Sequence, residues 1–160
     1  MKRVILMLMV VIVCSLSAWC QSSMIVTLGT EVMEDNSFDS AKVSFKQRGM
    51  PLDKFPSGKY GYMSERPLLM AVIDASPNNT IKEVNFLCGA AFWWEINLHL
   101  EEDGYTLDDD GYVKLGNGDT VPQKSYSKGN ILCLIQTIDN DVKQVIFKRK
   151  VIKSTIKKRK

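Results

Sequence analysis

The segment FDSAKVSFKQRGMPLD, residues 38–53, has a counterpart in WWEINLHLEEDGYTLD, residues 93–108 of the same chain. At this offset of 55 positions, apolar residues coincide at six pairs of positions, which are 38/93, 41/96, 43/98, 45/100, 50/105 and 52/107. Gly49 falls on Gly104 in the same alignment. An internal repeat of this length indicates a supersecondary unit used twice, so that each copy buries the exposed face of the other.

The agreement continues downstream in two pairs of β-rich segments. Residues 68–74 and 81–87 (LLMAVID and IKEVNFL) match residues 131–137 and 142–148 (ILCLIQT and VKQVIFK) at an offset of 61 to 63 positions. Within each pair a short turn separates the two segments, which predicts an antiparallel β-hairpin.

The first segment of each repeat fits both a strand and a helix by its periodicity, and its ends favour a helix. Asn36-Ser37 stands where an N-cap accepts backbone donors. Gly49 and Gly104 each follow a charged final turn, and Met50 and Tyr105 supply the hydrophobic residue that accompanies a glycine C-cap. Both segments are therefore predicted to be helices.

These patterns predict an α+β fold for residues 21–150, in one domain. It would consist of two pseudo-symmetric repeats, about 24–88 and 89–150, each a helix followed by an antiparallel β-hairpin-rich sheet. Between the second helix and the second hairpin, Asp110-Gly111 and Asn117-Gly118 both suit type I′ turns, so short antiparallel strands are expected beside them.

The first twenty residues are typical of an export signal. Lys2 and Arg3 precede an apolar run at 4–13, which is shorter than the roughly 20 residues that span a bilayer. We expect residues 1–20 to be removed and the protein to be periplasmic or extracellular. Lipid anchoring through Cys20 is the alternative, which the bulky Trp19 before it disfavours.

Charge divides the remaining chain into two regions. Positions 21–142 hold 18 acidic and 10 basic residues, whereas positions 143–160 hold nine basic residues and no acidic one. The end of the chain, 151–160, is interpreted as a solvated basic tail. Its last four residues, Lys157, Lys158, Arg159 and Lys160, are a candidate contact for an anionic surface, and nucleic acid is not expected as a partner.

An acidic cluster at Asp108, Asp109 and Asp110 raises the question of calcium. An EF-hand loop with its glycine at 111 would require Asp at 106 and Glu at 117, where the chain has Thr106 and Asn117. The cluster is therefore interpreted as a solvated turn, with a looser calcium contact as the alternative.

Motifs of known catalytic chemistry are missing from the sequence, which has no glycine-rich phosphate loop, no HExxH and no nucleophile elbow. His99, the one histidine, is expected to face solvent. Cys88 and Cys133 are expected either to form a disulfide or to be buried thiols. The expectation is a protein without catalytic residues, cofactor or metal.

Four aromatic residues are candidates for contact with a partner or a sugar ring, namely Trp93, Trp94, Tyr105 and Tyr112. Packing between the two halves is the other interpretation of the tryptophans. With nearby aspartates, the exposed aromatics would suit a carbohydrate-binding or carbohydrate-acting domain, which is the alternative function.

The order of these elements resembles that of tandem-repeat proteins built like β-lactamase inhibitory protein and of other small exported bacterial envelope proteins. The features that carry the resemblance are the signal segment, the segments 38–53 and 93–108, and the two hairpins. This resemblance covers residues 24–150 and transfers no site residue. It implies a non-catalytic binding module that contacts another protein or an envelope component, which is the leading expectation.

Overall fold

The computed structural model describes residues 22–89, 92 and 95–150. The predictions that lie outside this part of the chain are the signal segment at 1–20 with Cys20, the contacts of Trp93 and Trp94, and the basic tail at 151–160 with Lys157, Lys158, Arg159 and Lys160. The described residues form an α+β domain with one eight-stranded antiparallel sheet, which confirms the predicted fold class.

The helices are α1 (22–35), α2 (Phe38–Gln47) and α3 (Ile96–Glu102). The strands are β1 (Asp53–Lys54), β2 (Tyr60–Glu65), β3 (Leu68–Ala75), β4 (Ile81–Gly89), β5 (Thr106–Lys114), β6 (Thr120–Lys128), β7 (Ile131–Asp139) and β8 (Val142–Arg149). None of the helices in the described residues has both the length and the hydropathy of a membrane span.

The strand order in the sheet is β1-β2-β3-β4-β8-β7-β6-β5. Strands β1 to β4 and strands β5 to β8 are each connected in sequence, and the two groups meet at the β4/β8 pair. Both predicted hairpins are present, as the β3/β4 and β7/β8 pairs. The origin of the two halves as repeats of one unit stays a prediction.

Helix α1 was not predicted, although its sequence has a helical pattern. Ile25, Leu28 and Val32 recur at i, i+3 and i+7 and are all buried. The helix ends at Asn36, which has a φ of +54° and donates its backbone N–H to the Val32 carbonyl at 3.1 Å. Asparagine tolerates this left-handed conformation better than most residues, so it suits the position after a helix.

Helix α2 has the predicted boundaries. It begins after the N-cap Ser37, whose hydroxyl accepts a hydrogen bond from a first-turn N–H at 3.5 Å. At its end Gly49 has a φ of +73° and donates to the Lys46 carbonyl, and Met50 donates to the Phe45 carbonyl, both at 3.0 Å. These two bonds define a Schellman motif.

Helix α3 ends in the same way. Gly104 has a φ of +87° and donates to the Glu101 carbonyl at 3.0 Å, while Tyr105 donates to the Leu100 carbonyl at 2.8 Å. In both copies of the repeated segment, the end of a helix is therefore followed by the start of a strand, as predicted.

One predicted turn is present and the other is wrong. The β5/β6 turn lies at Asn117-Gly118, where the Gly118 N–H donates to the Leu115 carbonyl at 2.9 Å. Its geometry is not type I′, because only Gly118 in this turn has a positive φ. Asp110-Gly111 lies inside β5, since pairing with β6 outweighs the local turn preference of this dipeptide.

The helices pack on one face of the sheet around buried aromatic rings. Phe45 of α2 stacks on Phe86 of β4, and Phe86 meets Phe147 of β8 edge to face, with centroid separations of 6.2 Å in both pairs. Gly29 of α1 lies so close to the Phe147 ring that a Cβ at this position would overlap it. The core therefore lies between the helices and the middle of the sheet.

Candidate functional site

The face of the sheet opposite the helices is called the open face. The strand registers show which residues lie on it. One row across it contains Gly61, Val72, Asn85, Ile146, Leu134, Ser125 and Asp109. The next row contains Met63, Met70, Leu87, Gln144, Gln136, Gln123 and Gly111. Because side chains alternate along a strand, these rows face away from core residues such as Phe86 and Phe147.

These fourteen positions hold one charged residue, Asp109, which lies on the edge strand. The apolar members include Met63, which is 61% exposed, and the half-buried Leu87 and Ile146. The polar members are neutral amides and hydroxyls. The middle of the open face is thus apolar and neutral.

Charged residues occupy some of the next positions along the strands. Glu83 and Lys148 pair across β4 and β8, two residues beyond Asn85 and Ile146. Glu65 follows Met63 at the other end of β2. The open face therefore has a neutral, partly apolar centre with charged residues along part of its border, and Leu68, Val142 and Val121 continue the apolar surface beyond the second row.

This distribution has the composition of a protein interface, where the centre is depleted of charge, enriched in residues such as Met, and surrounded by a polar rim. Seven strands at about 4.8 Å spacing span about 29 Å, and two rows about 7 Å apart along the strands cover about 14 Å. The double row therefore covers about 400 Å², the size expected for the centre of an interface of about 800 Å² per partner.

Tyr105 and Tyr112, two of the predicted contact residues, have opposite environments. Tyr112 lies on β5 and is 78% exposed, so it can contact a partner. Tyr105 is 3% exposed, so the prediction of a contact there is wrong. The sugar-binding alternative therefore keeps one aromatic residue among those that the structure describes.

The buried hydroxyl of Tyr105 belongs to a polar network that joins α1 to the second half of the domain. It lies 2.9 Å from Thr30 Oγ1, which also donates to Asp103 Oδ2 at 3.1 Å. Lys128 Nζ donates to the same Asp103 oxygen at 3.2 Å. Burial raises the pKa of the Tyr105 phenol, and the hydrogen bond with Thr30 offsets part of this effect.

Cys88 and Cys133 are free, buried thiols, so the disulfide alternative is wrong. Strand β8 lies between the strands that carry them, with Lys143 opposite Cys88 and Phe147 opposite Cys133. Two strand spacings are about 9.6 Å, beyond the roughly 7 Å that a disulfide bridges. Burial raises the pKa of Cys88 to about 12 and also raises that of Cys133, so neither is a reactive thiolate near neutral pH.

The acidic cluster lies on edge strand β5 and not in the predicted turn. Asp108 accepts from Ser127 Oγ at 2.8 Å and lies 3.7 Å from Lys150 Nζ, and Asp110 lies 3.2 Å from Lys124 Nζ. No group of three or more His, Cys, Asp or Glu side chains in the described residues has an arrangement that could hold a metal ion.

His99 does not face solvent as predicted. It is 5% exposed, with Nδ1 3.1 Å from Glu102 Oε2. The two side chains line a pocket of about 190 Å³ between α1 and α3, together with Ser23 and Thr27. A histidine held by a carboxylate is one part of a nucleophilic triad, but this pocket is smaller than the roughly 300 Å³ typical of ligand sites. We interpret the pair as an i,i+3 interaction within α3, on the side of that helix that faces α1.

Comparison with protein-family models gave no match, and neither did the comparisons with curated proteins and with solved structures. The resemblance in element order that was drawn from the sequence therefore stays an expectation.

The residues of the open face were not identified from the sequence. A signal was present in β7, where ILCLI at 131–135 is continuously apolar instead of alternating. Such a run indicates a strand with apolar side chains on both faces. The register that brings Met63, Leu87 and Ile146 onto one surface could be seen only in the folded sheet.

Proposed function

We propose that this chain is an exported binding module that holds another protein against the open face of its sheet. The observation that carries the proposal is the nearly charge-free double row across seven strands, bordered by Glu65, Glu83 and Lys148. The export part of the proposal rests on the sequence alone, through Lys2, Arg3 and the apolar run at 4–13.

The partner is expected to present a complementary surface with an apolar, neutral centre. Met63 is the expected anchor, because an exposed methionine adapts its shape to a partner and loses water-exposed apolar area on binding. The half-buried amide of Gln144 would exchange hydrogen bonds with the partner backbone without the desolvation cost of a charge.

Site-specific photo-crosslinking in cells that express the full chain tests this proposal. A photoreactive amino acid replaces Met63 in one variant and Val43 in the other. Val43 is a matched control, because it is 55% exposed but lies on α2, on the opposite side of the sheet. A partner protein identified by mass spectrometry should be captured from position 63 and not from position 43.

Purified components then provide the quantitative test. Met63→Lys should weaken binding of the identified partner at least about tenfold, because a charge would enter the neutral double row. Val43→Lys should leave the dissociation constant unchanged. Capture from position 43 alone, or equal weakening by both substitutions, would contradict the assignment to the open face.

A further inference from the structure

The two edges of the sheet differ in length and protection. The edge strand β1 has two residues, Asp53–Lys54. At the other edge β5 has nine residues, Thr106–Lys114, of which seven are exposed. Among the strands that the structure describes, β5 has a partner on one side only, so one row of its backbone N–H and C=O groups points outward.

The first part of β5 is irregular and the rest is regular. A bulge between Leu107 and Asp109 leaves Asp108 without an opposite residue on β6. From Asp109 to Lys114 the pairing with β6 is continuous. These six residues, about 20 Å long, are the length over which an additional strand can form a regular ladder.

The side chains along this stretch define what kind of strand fits. Asp109 is exposed and makes no ion pair among the described residues. Asp110 is paired with Lys124 but keeps 54% of its side-chain surface exposed. Tyr112 is 78% exposed, the highest value among the large hydrophobic side chains of the described residues.

We propose that the β5 edge takes up an extended segment of another protein as a ninth strand of the sheet, with lysine or arginine on the face of Asp109 and apolar residues on the face of Tyr112. Backbone hydrogen bonds would supply the affinity, as in other cases of strand addition. Cross-strand pairing of opposite charges and an apolar contact with Tyr112 would select the segment. A second copy of β5 fits less well, since it would bring another three aspartates to the same edge.

The β5 edge adjoins the open face at Asp109, but the addition of a strand there does not depend on the proposed function. Three probe peptides test it on the full chain by fluorescence polarisation. The first is an acetylated, amidated heptapeptide, Thr-Lys-Val-Lys-Val-Lys-Thr. The second has glutamate in place of each lysine. The third is the lysine peptide with alternate backbone nitrogens methylated, which keeps the charge but cannot complete a β-ladder.

We expect the lysine peptide to bind and both other peptides to bind at least about tenfold more weakly. Asp109→Asn should weaken the lysine peptide about two- to fivefold, and Tyr112→Ser about tenfold. Asp53→Asn, at the opposite edge, is the matched control and should have no effect. Met63→Lys should also have no effect, which separates this inference from the proposed function.

Three results would overturn the inference. The first is equal binding of the methylated peptide, because the interaction would then be one of charge alone. The second is no binding of the lysine peptide up to about 1 mM. The third is a dimer in sedimentation that Tyr112→Ser dissociates, because the occupant of the edge would then be a second copy of this chain.

Discussion

The ends of α2 and α3 share a backbone geometry but differ in the side chains that use it. In both, a glycine in the left-handed region follows the C-cap and the next residue donates back to the last buried turn. The buried pairs are Phe45 with Met50 and Leu100 with Tyr105. The two similar sequence segments thus meet the same backbone requirements.

The C-cap residues at the two ends carry opposite charges, and each contacts α1. Arg48 Nη2 lies 2.7 Å from Glu31 Oε2, and Asp103 Oδ2 accepts from Thr30 Oγ1 at 3.1 Å. The first contact is half-exposed, whereas the second belongs to the buried network with Tyr105. Helix α1 therefore contacts both helix ends through adjacent residues. The stability of the domain should depend more on the contact with the end of α3 than on the contact with the end of α2.

The largest expected effect comes from removing the buried residue three positions before each C-cap. Phe45→Ala should lower the free energy of unfolding by about 3–5 kcal/mol and Leu100→Ala by about 2–5 kcal/mol, because each leaves a cavity. Urea unfolding measures both. The exposed neighbours provide controls, and Val43→Ala and Leu98→Ala should stay within about 0.5 kcal/mol. A loss below 1 kcal/mol for Leu100→Ala would contradict the expectation that the buried residues at the two helix ends contribute similarly to stability.

An intermediate effect is expected from the contacts with α1. Thr30→Val should cost about 1–3 kcal/mol, because it leaves the buried Tyr105 hydroxyl without this partner. Glu31→Gln should cost less than about 1 kcal/mol, because its pair with Arg48 is half-exposed. Equal losses in urea unfolding would contradict the difference between the ends. The loss for Thr30→Val should also shrink in a Tyr105→Phe background.

The smallest difference between the two helix ends is expected at the two glycines. Gly49→Ala and Gly104→Ala should each cost about 1–2 kcal/mol, because a Cβ is unfavourable at positive φ. No atom lies within 4 Å of either added Cβ, so sterics from neighbours do not differ. Gly116→Ala, in open space at an ordinary φ, is the control and should cost nothing. A difference above about 1 kcal/mol between Gly49→Ala and Gly104→Ala would show that the two stops are not equivalent.

Local signals in the sequence predicted much of the fold. The C-cap glycines and the N-cap Ser37 act within one or two turns of chain, so their pattern is sufficient to predict α2 and the end of α3. The two hairpins were predicted for the same reason, since segments close in sequence pair with each other. Such features depend little on the rest of the molecule.

Features that depend on distant partners were not predicted. His99 and Tyr105 are buried because α1 covers them, and α1 itself was missed. The prediction of a turn at Asp110-Gly111 is wrong because β5 continues its pairing with β6 through that position. The open face requires strands from both halves in one register, and the position of β5 at an edge follows from the strand order. Neither is encoded within a single window of the chain.

The close approach of Gly29 to the Phe147 ring has a consequence for the other contacts of α1. Gly29 directly precedes Thr30, which contacts Asp103, and Glu31, which contacts Arg48. The distance between α1 and β8 at Gly29 therefore also affects the distances in these two contacts. A larger residue there would lift both contacts together. The packing of α1 on β8 and its contacts with both helix ends therefore depend on three consecutive residues.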